Sequence, residues 1–271
     1  MSEFLNEMIE TVYEFLETAN GMIDSCRMKT KKKCSNCRIV IAFYLRRAIE
    51  ISESFIVLIK ASRFADSALL LRSLWEMGIN TDYIFSDKKS KEINAIKLQL
   101  HERQEQINLL EKNKEEIRKA GLDVDTRLAE LARELQEMKV VFSKEHKHTD
   151  WKWPKIFVRA DRSTKWVIKQ AYRQVYAYLC NIDHHDMSFG GRYVDNKKCE
   201  PLREPEPDAL LRPEVNIFMV RAILIEIMKT FNEEYLLKWE DKLQVLERKQ
   251  DSDYEEMRKI NGIAKVILES T

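Results

Sequence analysis

The sequence predicts an all-α fold, a multi-helix bundle with a protruding, coiled-coil-like antiparallel helical hairpin. Three observations support this fold class. The 271 residues include only 6 Gly and 5 Pro, too few for the many turns of a sheet-rich fold. Apolar residues recur at helical spacing through most of the chain. Charged residues make up 34% of the chain, above the usual quarter, which suits long helices with solvated faces.

The first third of the chain is predicted to form three helices. Residues 3–24, 38–63 and 65–86 each carry apolar side chains at helical spacing. The second and third segments are apolar around much of their circumference, which predicts that they lie deep in the bundle. A basic loop, residues 27–37, connects the first helix to the second.

A different pattern follows in residues 90–142, where the apolar stripe is narrow. Apolar residues recur there in a 3–4–7 repeat that is interrupted from Gly121 to Asp125. This pattern predicts the antiparallel hairpin. We therefore divide the chain into residues 1–89 and 143–271, two parts of one bundle, with the hairpin inserted between them. The hairpin is the predicted contact for a protein partner or for a homodimer, and the alternative is an ordinary extension of the bundle.

The C-terminal part of the chain is predicted to return to the bundle. Residues 143–163 are basic and aromatic, and residues 164–186 have helical spacing again. Residues 187–212, with three of the five prolines, are predicted to form a loop. Residues 213–250 are predicted to form one long helix and residues 252–269 a last short one.

Charge and cysteine content restrict the class of protein. The net charge is +1, yet residues 25–49 hold eight Lys or Arg and no acid, a local excess that can bind phosphate. An odd number of cysteines and an acidic N-terminal segment unlike a secretory signal favour a cytoplasmic protein. The longest apolar run, residues 39–45, is too short to span a bilayer, so we expect no membrane association.

Three polar residues in apolar helical sequence form the candidate catalytic site. Arg72 and Glu76 are four residues apart and share a helix face, and we expect His184 to approach them in the bundle. Arg would bind a phosphate, His would act as general acid or base, and Glu would orient the His or share the proton transfer. The alternative is a buried Arg–Glu–His network that fixes the helix register.

Basic and aromatic residues alternate in the segment that precedes the fourth predicted bundle helix. Lys152, Lys155 and Arg159, with Trp151 and Trp153, suit a single-stranded nucleic acid through phosphate contacts and base stacking. RNA is therefore a predicted partner. The alternative is that the tryptophans fill the bundle while the basic residues face water.

The chain is predicted to need no metal and no cofactor. His184 and His185 are adjacent and would point about 100° apart on a helix, which is poor geometry for one ion. Cys34 and Cys37 have the spacing of half a zinc site, and a second pair is missing. The basic residues flanking them would lower the pKa values of the thiols and make the pair redox-active, or the two are free surface thiols.

The order of these motifs resembles an uncharacterised all-helical prokaryotic family known only as a domain of unknown function. Arg-Ser-x-x-Glu ends one apolar helix, and Tyr-x-x-Leu-small-x-x-x-His ends a later one. The matching residues are Arg72, Ser73, Glu76, Trp151 or Trp153, Tyr176, Leu179 and His184. Cys180 stands where the family usually has Ser, which removes a hydroxyl hydrogen bond. The resemblance covers roughly residues 38–240 and implies a helical fold, with some relatives in mobile-element or phage-defence settings.

Two functions from different classes follow from these observations. The first is a defence- or toxin-type effector that acts on RNA through Arg72, Glu76 and His184 without a metal. Helical nucleases with an Arg-x(4–6)-His motif offer a comparison, and no Arg here precedes a His at that spacing. The second is a non-catalytic binding or scaffolding protein whose polar cluster is structural and whose hairpin recruits a partner.

Overall fold

The chain forms an all-α bundle, as predicted. The structure, a computed structural model, describes residues 3–27, 35–147, 149–163, 165, 172, 176, 194–195, 200–201 and 212–261, with side chains in the last helix to residue 256. The described helices are α1 (Glu3–Arg27), α2 (Asn36–Lys60), α3 (Phe64–Phe85), α4 (Lys91–Lys112), α5 (Lys114–Lys119), α6 (Val124–Glu145), α7 (Ile156–Asp161), α8 (Pro213–Tyr235) and α9 (Glu240–Asn261). Two short strands, β1 (Val194–Asp195) and β2 (Glu200–Pro201), pair antiparallel.

Helix α8 lies at the centre of the bundle, in contact with α1, α2, α3 and α9. Pro213 opens the helix, at the position where a missing N–H costs nothing. Its apolar residues are buried on nearly every side, from Val215 to Phe231. Gly78 of α3 allows the close approach of α8, because a Cβ there would lie 3.1 Å from Ile223. Packing against α2 and α8 thus fixes the position and rotation of α3, which carries the candidate site.

A turn at Leu236 divides the C-terminal region, so the prediction of one helix over residues 213–250 is wrong. Leu236 and Lys238 have positive φ, of 54° and 65°. The side chain of Asn232 holds the turn, because its Oδ1 accepts from the Trp239 N–H at 3.0 Å and its Nδ2 donates to Glu240 at 2.9 Å. α9 then runs without interruption to residue 261, so no separate helix begins at 252.

Helices α4 and α6 run antiparallel and share an apolar cluster separate from that of the bundle. Ion pairs join Arg103 to Glu134 and Lys114 to Asp125, so later residues of α4–α5 meet earlier residues of α6. Gly121 lies between the two arms with φ of 77°, and Asp123 caps α6 by accepting from the Thr126 N–H. The shared cluster is formed by Leu100, Ile107, Leu131, Leu135 and Phe142. The first turns of α4 pack on the bundle instead, through Ala95 and Leu98.

Candidate functional site

Arg72 and Glu76 lie one turn apart on α3, at the edge of the bundle, and both are half-buried. The guanidinium carbon of Arg72 is 5.7 Å from the centroid of the Tyr176 ring, within cation–π distance. Tyr176 in turn stacks on Tyr172, with 5.1 Å between ring centroids. His184, the third predicted member, lies outside the described residues.

A buried arginine on α7 is the ion-pair partner of Glu76. Nη2 of Arg159 lies 3.7 Å from Oε1 of Glu76, and Nη1 of Arg159 donates to the side-chain oxygen of Asn80. Asn80 donates through Nδ2 to the Tyr44 hydroxyl on α2, at 3.0 Å. A continuous polar chain therefore runs from Glu76 at the surface through Arg159 and Asn80 to Tyr44 in the core.

Sequence reasoning missed Asn80 and Tyr44 as members of this network. Arg72, Glu76 and Asn80 follow one another at intervals of four residues, and that spacing was the available signal. Tyr44 gave none, because its hydroxyl meets Asn80 only through the packing of α2 on α3.

The indole ring of Trp153 packs against the guanidinium of Arg159. Its central carbon is 5.0 Å from the centroid of Trp153, which packs edge-on against Tyr83 at 5.2 Å. The Tyr83 hydroxyl accepts from Arg162, at 3.3 Å. Nε of Arg159 is buried with no hydrogen-bond partner in the described part of the chain.

Burial sets the protonation of the groups around the network. It lowers the pKa of Arg159, against the opposing effect of the Glu76 charge, and a guanidinium still keeps its proton at neutral pH. Burial, with a further contribution from Glu102, raises the pKa of Tyr44, so its hydroxyl is neutral. Burial lowers the pKa of His101 on α4, whose imidazole is neutral at pH 7. The network therefore carries one fixed cation facing Glu76.

The five residues predicted to contact nucleic acid divide into two groups. Lys152 and Lys155 are exposed, and Trp151 is half-buried with the Lys139 ammonium 4.2 Å from its ring centroid. Trp153 and Arg159 are buried, Arg159 to 5% exposure, and are used in the network on α3. Two of the five residues predicted to contact nucleic acid, Trp153 and Arg159, thus point into the bundle.

The thiol of Cys37 is buried beside the carboxylate of Glu234. Cys37 is buried at the start of α2, where Glu92 accepts from the backbone N–H groups of Asn36 and Cys37 at 2.7 and 3.1 Å. Burial, assisted by the charges of Glu234 and Glu92, raises the pKa of the Cys37 thiol to about 11. The expectation of a lowered pKa is therefore wrong for Cys37, as is that of a surface thiol. Cys34 lies outside the described residues.

Comparisons with known proteins identify a family without an assigned role. The sequence model of a family of unknown function, DUF5677, matches residues 38–201. No curated protein and no solved structure matches the chain. Within the described residues, no three His, Cys, Asp or Glu side chains are grouped to hold a metal ion. None of the helices formed by these residues has the length and apolar character needed to cross a membrane.

Proposed function

We propose that this chain, which belongs to the DUF5677 family of unknown function, is a defence- or toxin-type effector that cleaves RNA at the polar face of α3. The observation that carries the proposal is the contact between Arg72 and Tyr176. Tyr176 lies against the helix that carries Arg72 and Glu76 and precedes His184 by eight residues in the sequence, so we infer that the histidine joins the same site. The contact between Arg72 and Tyr176 supports a composite site built from two segments of the chain.

The proposed chemistry is metal-independent transesterification, in which the 2′-hydroxyl of a ribose attacks the adjacent phosphodiester. His184 accepts the proton of the 2′-hydroxyl, whose oxygen attacks phosphorus while the bond to the 5′-oxygen breaks and that oxygen takes up a proton from water. Arg72 binds the non-bridging oxygens, where negative charge develops. Glu76 orients His184 or shares the proton transfer, and Arg159 keeps the Glu76 carboxylate in position through their 3.7 Å contact.

The missing Arg-x(4–6)-His motif is consistent with such a two-segment site. In that motif one segment supplies both cation and base, whereas here Arg72 and His184 come from segments far apart in sequence. A composite site depends on packing to align its groups, and the buried Arg159–Asn80–Tyr44 chain below Glu76 provides rigid packing at this end of α3.

The test compares cleavage of labelled single-stranded RNA in EDTA by wild type, Arg72→Ala and Glu76→Gln. We expect each substitution to reduce the rate by about a hundredfold or more, because general acid–base groups and charge-stabilising groups each contribute on that order. Arg127→Ala is the matched control, because Arg127 is also a helical arginine paired with a glutamate, at 3.1 Å from Glu130. Intact RNA in the wild-type reaction, or variants that cleave like wild type, would refute the proposal.

A second candidate function is favoured by apolar residues exposed on the helical hairpin. Leu109 and Leu122 are 62% and 64% exposed, and Val141 on α6 is 53% exposed. Leu109 is on α4, Leu122 is in the turn before α6 and Val141 is on α6, and exposed apolar side chains are typical of a protein contact when they form a patch. The molar mass of the wild type in solution, compared with that of a Leu109→Glu, Val141→Glu double variant, tests this. If the wild type is a dimer and the variant a monomer, the hairpin mediates self-association. If both proteins are monomers, homodimerisation through the hairpin is refuted.

A further inference from the structure

The segment that enters α7 exposes two lysines. Trp151 packs with the α4–α6 cluster, and Trp153 is buried against Tyr83. Lys152 and Lys155 are exposed between and after these two anchors. Because both tryptophans pack against the protein, Lys152 and Lys155 are the exposed side chains of residues 151–155.

The exposed side of α7 continues this surface with an aromatic ring. Phe157 is 51% exposed, although a phenyl ring gains free energy when it leaves water. Arg162 follows at the end of α7, exposed, with Nη1 3.3 Å from the Tyr83 hydroxyl. Residues 152–165 contain five basic side chains and one acidic one, Asp161. Arg159 and Lys165 pair with Glu76 and Glu226, which leaves Lys152, Lys155 and Arg162 as the exposed cations on either side of Phe157 in the sequence.

We propose that Lys152, Lys155, Phe157 and Arg162 form a docking surface for single-stranded RNA. Phe157 stacks on an unpaired base, and the three cations contact phosphates on either side of it. A single strand fits better than a duplex, because the bases of a duplex are already stacked and offer no free face. The inference rests on the proposed function, and it assigns roles to Phe157 and Arg162 in place of the buried Trp153 and Arg159.

The position of this surface connects it with the candidate site. Arg159, on the same short helix as Phe157, pairs with Glu76 inside the protein. In this proposal RNA binds the outward face of α7, while Arg159 on the inward face pairs with Glu76. A strand bound along α7 would reach the edge of α3 where Arg72 and Glu76 lie.

The test measures binding separately from cleavage, with a labelled 2′-O-methyl RNA strand that has no 2′-hydroxyl to attack. Fluorescence anisotropy over a salt series gives both the affinity and its salt slope. We expect Phe157→Ala to weaken binding about tenfold with an unchanged slope, because stacking is apolar. Phe157→Leu, which keeps apolar bulk for folding, weakens binding as well, and Phe157→Tyr restores it. An abasic strand of equal length binds the wild type and Phe157→Ala alike.

Lysine substitutions test the electrostatic part. Lys155→Ala should make the salt slope shallower by about 0.7, the contribution of one phosphate contact with a single strand. Val57→Ala and Lys119→Ala are matched controls, because Val57 is exposed on α2 and Lys119 on α5, and both variants should bind like wild type.

The outcomes separate the two proposals. If the wild type cleaves RNA while the Phe157 and Lys155 variants bind like wild type, the docking surface is wrong and the proposed function stands. If the wild type neither binds nor cleaves RNA, both are wrong. If Phe157→Ala weakens binding of the abasic strand as much as binding of the RNA strand, Phe157 does not stack on a base and the inference is overturned. If an acidic peptide binds as tightly as the RNA strand, the surface is a general anion contact and the inference is overturned as well.

Discussion

Arg159 of α7 and Glu76 of α3 form an ion pair in which the arginine is buried and the glutamate half-exposed, with 3.7 Å between Nη2 and Oε1. The same guanidinium donates to Asn80, so α7 is attached to α3 at two consecutive turns. A short helix of this length would not be stable alone, because helix nucleation is costly. Its position therefore depends on the residue that ties it to α3.

Arg159→Ala should lower the free energy of unfolding by about 2 kcal/mol. The side-chain oxygen of buried Asn80 loses its donor and Trp153 loses its stacked cation, whereas half-exposed Glu76 returns to water. Arg162→Ala is the control, and we expect a change within about 0.5 kcal/mol, because Arg162 is exposed. Urea unfolding measures both, and equal effects of the two substitutions would show that the buried network contributes nothing.

Leu236→Gly should stabilise the protein by a few tenths to about 1 kcal/mol. Leu236 is 73% exposed, and it has φ of 54°, a conformation that costs an L residue free energy and costs glycine none. Leu122→Gly is the matched control, because Leu122 is similarly exposed outside the left-handed region, so glycine only adds disorder to the unfolded chain. The melting temperature should rise for the first variant and fall for the second.

Cys37 should resist alkylation at neutral pH. Its pKa of about 11 leaves about a hundredfold less thiolate at pH 7.5 than a thiol of ordinary pKa would have, and the thiolate is the reactive form. Iodoacetamide followed by peptide mass spectrometry measures the rate, with the guanidinium-unfolded protein as control. Equal labelling of folded and unfolded Cys37 would contradict the buried environment beside Glu92 and Glu234.

His101 should make the protein less stable as the solution becomes acidic. Burial lowers the pKa of His101 in the folded state, so below about pH 6.5 the unfolded chain takes up a proton that the folded chain resists. Stability is then lost as the pH falls, by at most about 1.4 kcal/mol per pH unit from this group. His101→Gln should flatten the dependence between pH 6.5 and 5. At pH 8, where the imidazole is neutral in both states, the same substitution reports only its packing effect.

The bundle helices could be predicted from the sequence because their boundaries depend on local pattern. The predicted ranges 38–63 and 65–86 lie within three residues of the ends of α2 and α3. The turn at Leu236 could not be predicted, since no Gly or Pro marks it and the Asn232 side chain that holds it acts across the turn. The helical spacing of apolar residues continues across Leu236, so that pattern alone predicts an uninterrupted helix.

The site was predicted in part for the same reason. The four-residue spacing of Arg72 and Glu76 fixed their shared face, which depends only on local geometry. The partner of Glu76 is Arg159, and that pairing depends on how the segment after α6 crosses α3. Composition alone indicated the basic, aromatic character of this segment, whereas anchoring of Trp151 and Trp153 decides which of its side chains face water.

The most direct test of the central claim is cleavage of labelled single-stranded RNA in EDTA by wild type and His184→Ala, with the melting temperature of each measured in parallel. The account predicts wild-type cleavage that is lost in a His184→Ala variant melting within a few degrees of wild type. Absence of wild-type cleavage, together with a His184→Ala variant that melts several degrees lower, would contradict it. That result would make the histidine part of a structural network.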